Sequence, residues 1–320
     1  MKAIVRERYG VVRLTEVDKP AVSDNGVLVR VRASSVNPVD WYEMTGTPYF
    51  SRLMGGVRSP KDPRLGRDFA GTVEAVGAAV EQFQPGDDVY GTVAGAFAEY
   101  VRLAEDAAIA RKPAGASFEQ AGSVGIAGFT ALQALRDTGR LGAGQKVLVN
   151  GAAGGVGTFA VQIAKAMGAE VTGVCSTANV ELVQSLGADH VVDYTRQDFT
   201  RSGERYDVFL DVAGSRRWSA CRRVLARDAV LVLIGGPKKR LVLGPVGHLV
   251  ATRLRSVGSS RTATFFLAKP NAADLRVLSD MIEAGKVTPA IDRSYALPDL
   301  AEAMAYLGTG HARAKIVITV

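Results

Sequence analysis

The stretch KVLVNGAAGGVGTFAVQIAKAMGAEVTGV, Lys146 to Val174, decides the fold. An apolar strand candidate, 146–150, runs into Gly151. A glycine-rich turn follows, and then Val156, Phe159, Ala160, Ile163, Ala164 and Met167 recur at helical spacing until Gly168 stops the helix. A second strand candidate begins at Glu170. Strand, glycine turn, helix and strand make a βαβ unit, in which Ala152, Gly154 and Gly157 occupy the three positions of the dinucleotide fingerprint as A-x-G-x-x-G. Gly154 lets the backbone approach a pyrophosphate, and Gly157 lets the helix pack close on the strand. The helix start at Gly155 and Val156 offers unpaired N–H groups and the positive end of the dipole to phosphates.

The end of the second strand selects the dinucleotide. An Asp or Glu there bonds the adenosine ribose hydroxyls in an NAD enzyme. Here Cys175, Ser176 and Thr177 stand in its place, so no carboxylate repels a 2′-phosphate and two hydroxyls are available to donate to it. NADPH is favoured and NADH stays possible, because the stretch holds no Lys or Arg.

Outward from this unit, strand candidates at 170–175, 190–193, 206–212 and 229–234 alternate with helix-length segments, which predicts a parallel sheet covered on both faces. A sixth, weaker candidate is 254–257. Residues 1 to about 110 read differently. GVLVRVRA (26–33) and FAGTVEAV (69–76) alternate as half-buried strands do, and Pro85 and Gly86 mark a turn before another strand. Short strands at this spacing predict a barrel-like β unit. The segment from Gly46 to Gly66 has no period and reads as a long loop. Near the end, 271–284 predicts an amphipathic helix capped by Asn271 and stopped by Gly285, followed by a helix near 299–307 and a strand at 315–320.

The chain has 320 residues and ordinary globular composition, which argues against disordered and fibrous classes and fits two domains. No stretch is apolar over the length a membrane helix needs, and the start MKAIVRERYGVV lacks the pattern of a signal peptide. Two cysteines, Cys175 and Cys221, build no disulfide framework and suit a reducing, cytoplasmic setting. The formal charge is +7, and the excess is local. Between Ser215 and Arg261 lie eleven Lys or Arg, including Arg216, Arg223, Lys238, Lys239, Arg240 and Arg261, against one acid, Asp228. Only Trp218 supplies an aromatic there, whereas RNA surfaces usually add stacking aromatics to the charge. A solvated face and cofactor edge is the reading preferred to a nucleic-acid surface.

With these pieces assembled, the chain resembles the medium-chain dehydrogenase/reductase superfamily, and within it the zinc-independent quinone oxidoreductase group. The resemblance rests on VRVRASSVNPVDWY (29–42), LGRDFAGTV (65–73), QPGDDVYG (84–91), GIAGFTALQAL (125–135), NGAAGGVG (150–157), VFLDVAG (208–214), LIGG (233–236) and GHARAKIVI (310–318), in that order across almost the whole chain. It implies an α/β protein with two domains. A GroES-like β-barrel-type catalytic domain is expected from 1–115 and 288–320, and a Rossmann doubly wound parallel-sheet domain from 116–287, with the active cleft between them.

The resemblance also implies site residues. Asn37, Asp40 and Tyr42 would line the nicotinamide and substrate, with Tyr42 donating a hydrogen bond or proton, and Thr130 would contact the nicotinamide. Ser176 and Tyr194 would lie near the 2′-phosphate, and Val212, Ala213, Ile234 and Gly235 beneath the cofactor. The group usually has a Lys where Asn179 stands. Zinc-dependent members bind the metal through an early Cys and a G-H-E histidine; here the positions hold Asn37 and Gly66-Arg67-Asp68, the structural cysteines are absent, and His190, His248 and His311 are scattered. No zinc is expected. Without a Lewis acid, hydride delivery to a quinone or α,β-unsaturated carbonyl is the implied chemistry. Enoyl-thioester reduction, or a weakly active dinucleotide-binding protein that binds RNA, are the alternatives. The resemblance further implies a homodimer joined through the last Rossmann strand, placed near 254–258.

Overall fold

The computed structural model describes residues 1–49, 52–236 and 244–320. Lys238, Lys239 and Arg240 of the basic segment, and the side chain of His248, fall outside the described residues. In chain order the strands are β1 (Lys2–Arg8), β2 (Val11–Glu16), β3 (Gly26–Val36), β4 (Asp68–Val76), β5 (Asp88–Thr92), β6 (Tyr100–Ala104), β7 (Ile109–Arg111) and β8 (Lys146–Asn150). Then come β9 (Glu170–Cys175), β10 (His190–Asp193), β11 (Tyr206–Asp211), β12 (Leu225–Leu233), β13 (Thr262–Phe265), β14 (Ile291–Ala296) and β15 (Lys315–Thr319). The helices are α1 (Pro38–Thr45), α2 (Arg52–Gly55), α3 (Phe118–Gly122), α4 (Gly125–Gln133), α5 (Gly155–Ala166), α6 (Val180–Ser185), α7 (Trp218–Cys221), α8 (Gly244–Ser256), α9 (Ala272–Glu283) and α10 (Leu300–Gly308).

Residues 130–268 form one compact unit. Its six strands run in the order β10-β9-β8-β11-β12-β13, all parallel. Order reversal beside β8 creates the switch point at which open α/β sheets take their ligands. Val147, Leu148, Val149, Phe209, Leu210, Leu231 and Val232 are fully enclosed or nearly so, as strands covered on both faces require. The strand expected at 254–257 is instead the end of α8. Among its described residues Thr252 and Ser256 are buried, four positions apart, which is the spacing of one helical face. The sixth strand is β13, a few residues later.

Residues 1–129 and 269–320 form the other unit. A seven-stranded sheet follows the path β14-β15-β3-β4-β5-β7, with β6 also pairing β3, and β1 and β2 form a separate hairpin. β3 is the spine: it pairs antiparallel with β4, β6 and β15 and bends at two irregularities, near Leu28 and near Val31. As the alternation predicts, Val27, Val29, Val31 and Ala33 are buried while Arg30 and Arg32 are exposed. Val29, Val31, Phe69, Val73, Val89 and Ile109 fill one core. Ile4, Leu65, Phe97, Leu300, Met304 and Ile316 fill a second, under α10. The 46–66 segment is largely irregular, with α2 inside it; Arg52 donates to the carbonyls of Gly46 and Thr45 and packs between Tyr9 and Tyr49.

The boundaries differ from the sequence expectation of 115 and 288, since α3 and α9 pack against this barrel-like unit. The buried Tyr90 on β5 shows why α9 belongs there: its hydroxyl donates to the Leu275 carbonyl at 2.7 Å and meets Ser279 Oγ at 2.9 Å. Asn271 caps α9 by accepting from Asp274 N, as the sequence predicts. Tyr90→Phe should lower stability by about 1 kcal/mol, the usual net worth of such a bond, seen as a lower urea midpoint; an unchanged midpoint would show that this contact does not hold α9.

Candidate functional site

In the 130–268 unit the chemistry-bearing residues gather at the carboxyl ends of β8, β9, β11 and β12. The glycine turn after β8 is fixed to its neighbour, because Gly151 N and Ala152 N both donate to the Val174 carbonyl on β9, at 3.1 and 3.0 Å. Gly154 is the N-cap of α5, and no side chain caps the helix, so the first N–H groups, those of Gly155, Val156 and Gly157, have no intrahelical acceptor. A Cβ at Gly154 would meet only the Gly151 carbonyl oxygen at 3.5 Å, so the surface there is open. At Gly157 a Cβ would collide with that same oxygen and with the backbone of Ala152. The first glycine thus leaves room for a phosphate and the second seats the helix on the turn, which fits the binding of a dinucleotide.

The neighbouring strand ends are stitched to this turn. Val212 N and Ala213 N donate to the Asn150 carbonyl at 3.0 and 3.2 Å, and Ile234 N and Gly235 N to the Asp211 carbonyl at 3.0 and 3.3 Å. Asp211 Oδ1 accepts from Asn150 Nδ2 at 2.7 Å and from Gly214 N at 2.9 Å. Full burial raises the Asp211 carboxyl to about 6, against the downward pull of these bonds. Val212 and Ala213 are therefore brought beside Gly151, and Gly235 beside Val212. Cys175 ends β9, buried, with its thiol pushed up to about 11 by burial. Ser176 is half-buried, and Thr177 Oγ1 donates to Asp193 Oδ2 at 2.5 Å, so its proton is taken by the protein. Tyr194 is 51% exposed just past β10. Thr130 lies on α4 and is largely buried.

The other unit holds Asn37, Asp40 and Tyr42. Pro38 starts α1 with Asn37 as its N-cap, and Asn37 N donates to Asp40 Oδ2 at 2.7 Å, closing the first turn. Asn37 and Asp40 are buried, and they belong to an ionic cluster that sequence reasoning missed. Asp68 on β4 and Lys315 on β15 are its charged members, with side chains 0% and 2% exposed. Lys315 Nζ donates to Asn37 Oδ1 at 2.7 Å and lies 3.4 Å from Asp68 Oδ2. Asp68 Oδ2 also accepts from Ser35 Oγ and Asn37 Nδ2, each at 2.8 Å, and Oδ1 from Ile126 N at 2.8 Å. The advance signals were that Asp68 and Lys315 both fall inside stretches carrying the family resemblance and that Asn37 and Asp68 stand in the motifs where zinc-dependent members place their metal ligands.

Burial, then the nearby Asp68 charge, lifts the Asp40 carboxyl to about 8, and Glu43 adds to the rise while the bond from Asn37 and the Lys315 charge oppose it. Burial likewise holds the Lys315 ammonium below the usual lysine range, against the pull of Asp68 and Asp40. Asp40 Oδ1 is buried without a partner among the described residues, which suits a protonated carboxyl better than a charged one. Tyr42 lies two residues further along α1, half-buried and edge-on to Trp41 at 5.5 Å between ring centroids; burial raises its phenol above the ordinary value. This donor set does not fit a metal. Asn37 and Asp68 are engaged by an ammonium group, and Arg67 is a cation paired with Glu43.

Comparison with known proteins agrees with both halves of this picture. The model of the alcohol dehydrogenase GroES-like domain matches residues 23–114, and that of the zinc-binding dehydrogenase matches 186–318. The chain is 33% identical to the mitochondrial NAD(P)H oxidoreductase RTN4IP1 of Mus musculus, over all of this chain and 89% of that protein. It is 32% identical to the chloroplastic NADPH-dependent alkenal/one oxidoreductase of Arabidopsis thaliana, over 99% of this chain and 79% of that one. The solved quinone oxidoreductase of Coxiella burnetii superimposes with a TM-score of 0.86 at 29% identity, covering 100% and 99% of the two chains. The chain belongs to the medium-chain dehydrogenase/reductase superfamily, in its quinone oxidoreductase-like group. It is an oxidoreductase that uses NAD(P)H.

The raised Asp40 carboxyl has a thermodynamic consequence. In the unfolded chain the group ionises near the ordinary aspartate value of 3.8, whereas the folded state keeps the proton to about 8. The proton-binding contribution to stability is therefore full below pH ~4 and is lost as pH rises toward ~8. Asp40→Asn, which keeps the acceptor for Asn37 N, should gain in thermal midpoint relative to the parent as pH rises from 4 to 8. A midpoint difference that stays constant across that range would contradict the assignment.

Proposed function

We propose that this protein transfers hydride from NADPH to a quinone or to an α,β-unsaturated carbonyl without a metal. The carrying observation is the open cradle at Gly154, with the strand ends of β8, β11 and β12 stitched around it. When bound there, the nicotinamide supplies the hydride. An acceptor already polarised by conjugation needs no Lewis acid, which agrees with a site whose metal-ligand positions hold Asn37, Arg67 and Asp68. The alkenal/one and quinone acceptors in the names of the plant and bacterial relatives support that substrate class.

Hydride arriving at the conjugated carbon leaves negative charge on the acceptor oxygen, and a proton must follow. Tyr42 is the residue proposed to donate to that oxygen. Its phenol keeps its proton at neutral pH, since burial raises it further, and no hydrogen bond engages its hydroxyl among the described residues. Asn37 and Asp40, enclosed in the ionic cluster, act as positioning groups for α1. Preference for NADPH over NADH is part of the proposal, because no carboxylate ends β9. A reducing, cytoplasmic setting is proposed from two free buried cysteines. No helix among the described residues is long and apolar enough to cross a membrane.

NADPH and NADH oxidation with 1,4-benzoquinone, 2-alkenals and crotonyl thioesters tests the reaction. NADPH consumption with a quinone or alkenal is expected, and Tyr42→Phe should lower kcat for the alkenal by on the order of a hundredfold while nucleotide affinity holds. Strong preference for the thioester would move the protein to the enoyl reductases, and no turnover with any acceptor would overturn the proposal.

A homodimer is also proposed, joined at β13 rather than at 254–258. Among the described residues β13 ends the parallel sheet, so one side of its backbone lacks a neighbouring strand there. Exposed apolar side chains gather on and around it: Leu254, Val257, Phe265 and Leu267, exposed by 51 to 80%. Of the described basic residues in this region, Arg223 and Arg261 donate to Thr200 and to the carbonyls of Leu225 and Ala226, and Arg216 stacks on Phe199. Those contacts favour a structural use of the charge over nucleic-acid binding. Light scattering after size exclusion should give twice the 33.8 kDa chain mass, and a charged substitution at Phe265 should return the monomer; a monomeric parent protein would refute the dimer.

A further inference from the structure

The preference for NADPH requires a cation at the adenosine end, and the position where the group usually has Lys holds Asn179. That residue does not substitute for it. Its Nδ2 donates to Ser176 Oγ at 3.0 Å, and its Oδ1 is buried without a partner among the described residues, so the amide braces the turn after β9 and carries no charge. The neighbouring strand end supplies what is missing. Asp193 on β10 pairs in register with Cys175 on β9, and Tyr194 N donates to the Cys175 carbonyl at 3.0 Å, so the two turns that follow are level and joined.

Asp193 is fully occupied in joining them. It accepts from Thr177 Oγ1 at 2.5 Å, from Thr195 N at 2.9 Å and from Thr195 Oγ1 at 2.7 Å, and these donors hold its carboxyl below the usual range. Arg196 reaches the same carboxylate with Nε only at 3.4 Å, its side chain 77% exposed, and no other hydrogen bond engages it among the described residues. A cavity of about 720 Å³ opens here, with Thr177, Asp193, Arg196 and Glu181 among its lining residues. Two carboxylates on this edge would repel a phosphate unless a cation offsets them.

We propose that Arg196 is the residue that recognises the adenosine 2′-phosphate, in place of the absent lysine and together with Ser176 and Tyr194. A long, exposed ion pair contributes little and is given up easily. A phosphate offers the guanidinium short, charge-assisted and bidentate bonds instead. Ser176, whose oxygen accepts from Asn179, still has its own proton to donate. The proposal rests on the reading of this protein as NADPH-dependent.

Dissociation constants for NADPH and NADH, from quenching of tryptophan fluorescence or calorimetry, test it without reference to turnover. Arg196→Ala changes an exposed side chain and should fold normally. It is expected to weaken NADPH by about tenfold, the equivalent of one charge-assisted contact, and to leave NADH within twofold. Asn179→Lys in the Arg196→Ala background should restore NADPH affinity. Equal weakening of both nucleotides would make Arg196 a purely structural residue, and unchanged NADPH affinity in a protein that prefers NADPH would overturn the role of Arg196 alone. A parent chain that binds neither nucleotide, or both alike, would overturn the underlying NADPH reading.

Discussion

The barrel-like unit is organised around one buried ion pair. Lys315 and Asp68 are drawn from strands 247 positions apart in sequence, and both are withdrawn from water. Such a pair is stable only when every remaining donor and acceptor is met, since the desolvation of each ion costs several kcal/mol. Here Ser35 on β3, Asn37 at the start of α1 and the Ile126 amide on α4 supply those partners for Asp68, and Asn37 one for Lys315. Five elements therefore have to arrive together before the charge is satisfied. Loose packing of any one would leave an ion or an amide unpaired, so the cluster specifies the arrangement as much as it strengthens it.

The nucleotide unit solves a comparable problem with backbone rather than charge. Its strand ends carry the carbonyls of Asn150, Val174 and Asp211, and each accepts two amides from the adjoining turn. That stitching sets the shape of the glycine turn before any ligand arrives. Asp211 strengthens it by joining the Asn150 side chain to the Gly214 amide at the expense of a buried oxygen, Oδ2, that has no partner among the described residues. A preformed cradle needs no reordering when the dinucleotide binds, so less of the binding energy is offset by ordering.

These two devices explain what could be read in advance. The dinucleotide turn is local: strand, glycines and helix occupy 29 consecutive residues, and each position has its own steric reason. β3 and α9 were legible for the same reason, from a period and a cap. The ionic cluster was not, because no rule of spacing connects Lys315 with Asp68; they meet only once β3 pairs β15 on one side and β4 on the other. β14 escaped because its residues are mostly half-exposed and present no clean alternation. The segment 254–257 misled because four residues are too few to separate a period of 2.0 from one of 3.6. The role proposed for Arg196 was not legible because it depends on a neighbouring strand end.

The cluster also bears on the chemistry, through α1. Asn37 begins that helix and is held on both sides of its amide, by Lys315 at the oxygen and by Asp68 and the Ser35 carbonyl at the nitrogen. Asp40 closes the first turn, and Gly46, in the left-handed conformation, ends the helix by donating to the Tyr42 carbonyl at 2.8 Å. An eight-residue helix anchored at both ends has little freedom to rotate or slide. Tyr42 sits in its middle, so the position of its hydroxyl is inherited from a lysine on the last strand of the chain. For the donor role proposed for Tyr42 such rigidity matters, because misplacement by about 1 Å can cost a hundredfold in rate. The unit thus encloses its charges in the cluster and leaves Tyr42, the proposed donor, a neutral phenol.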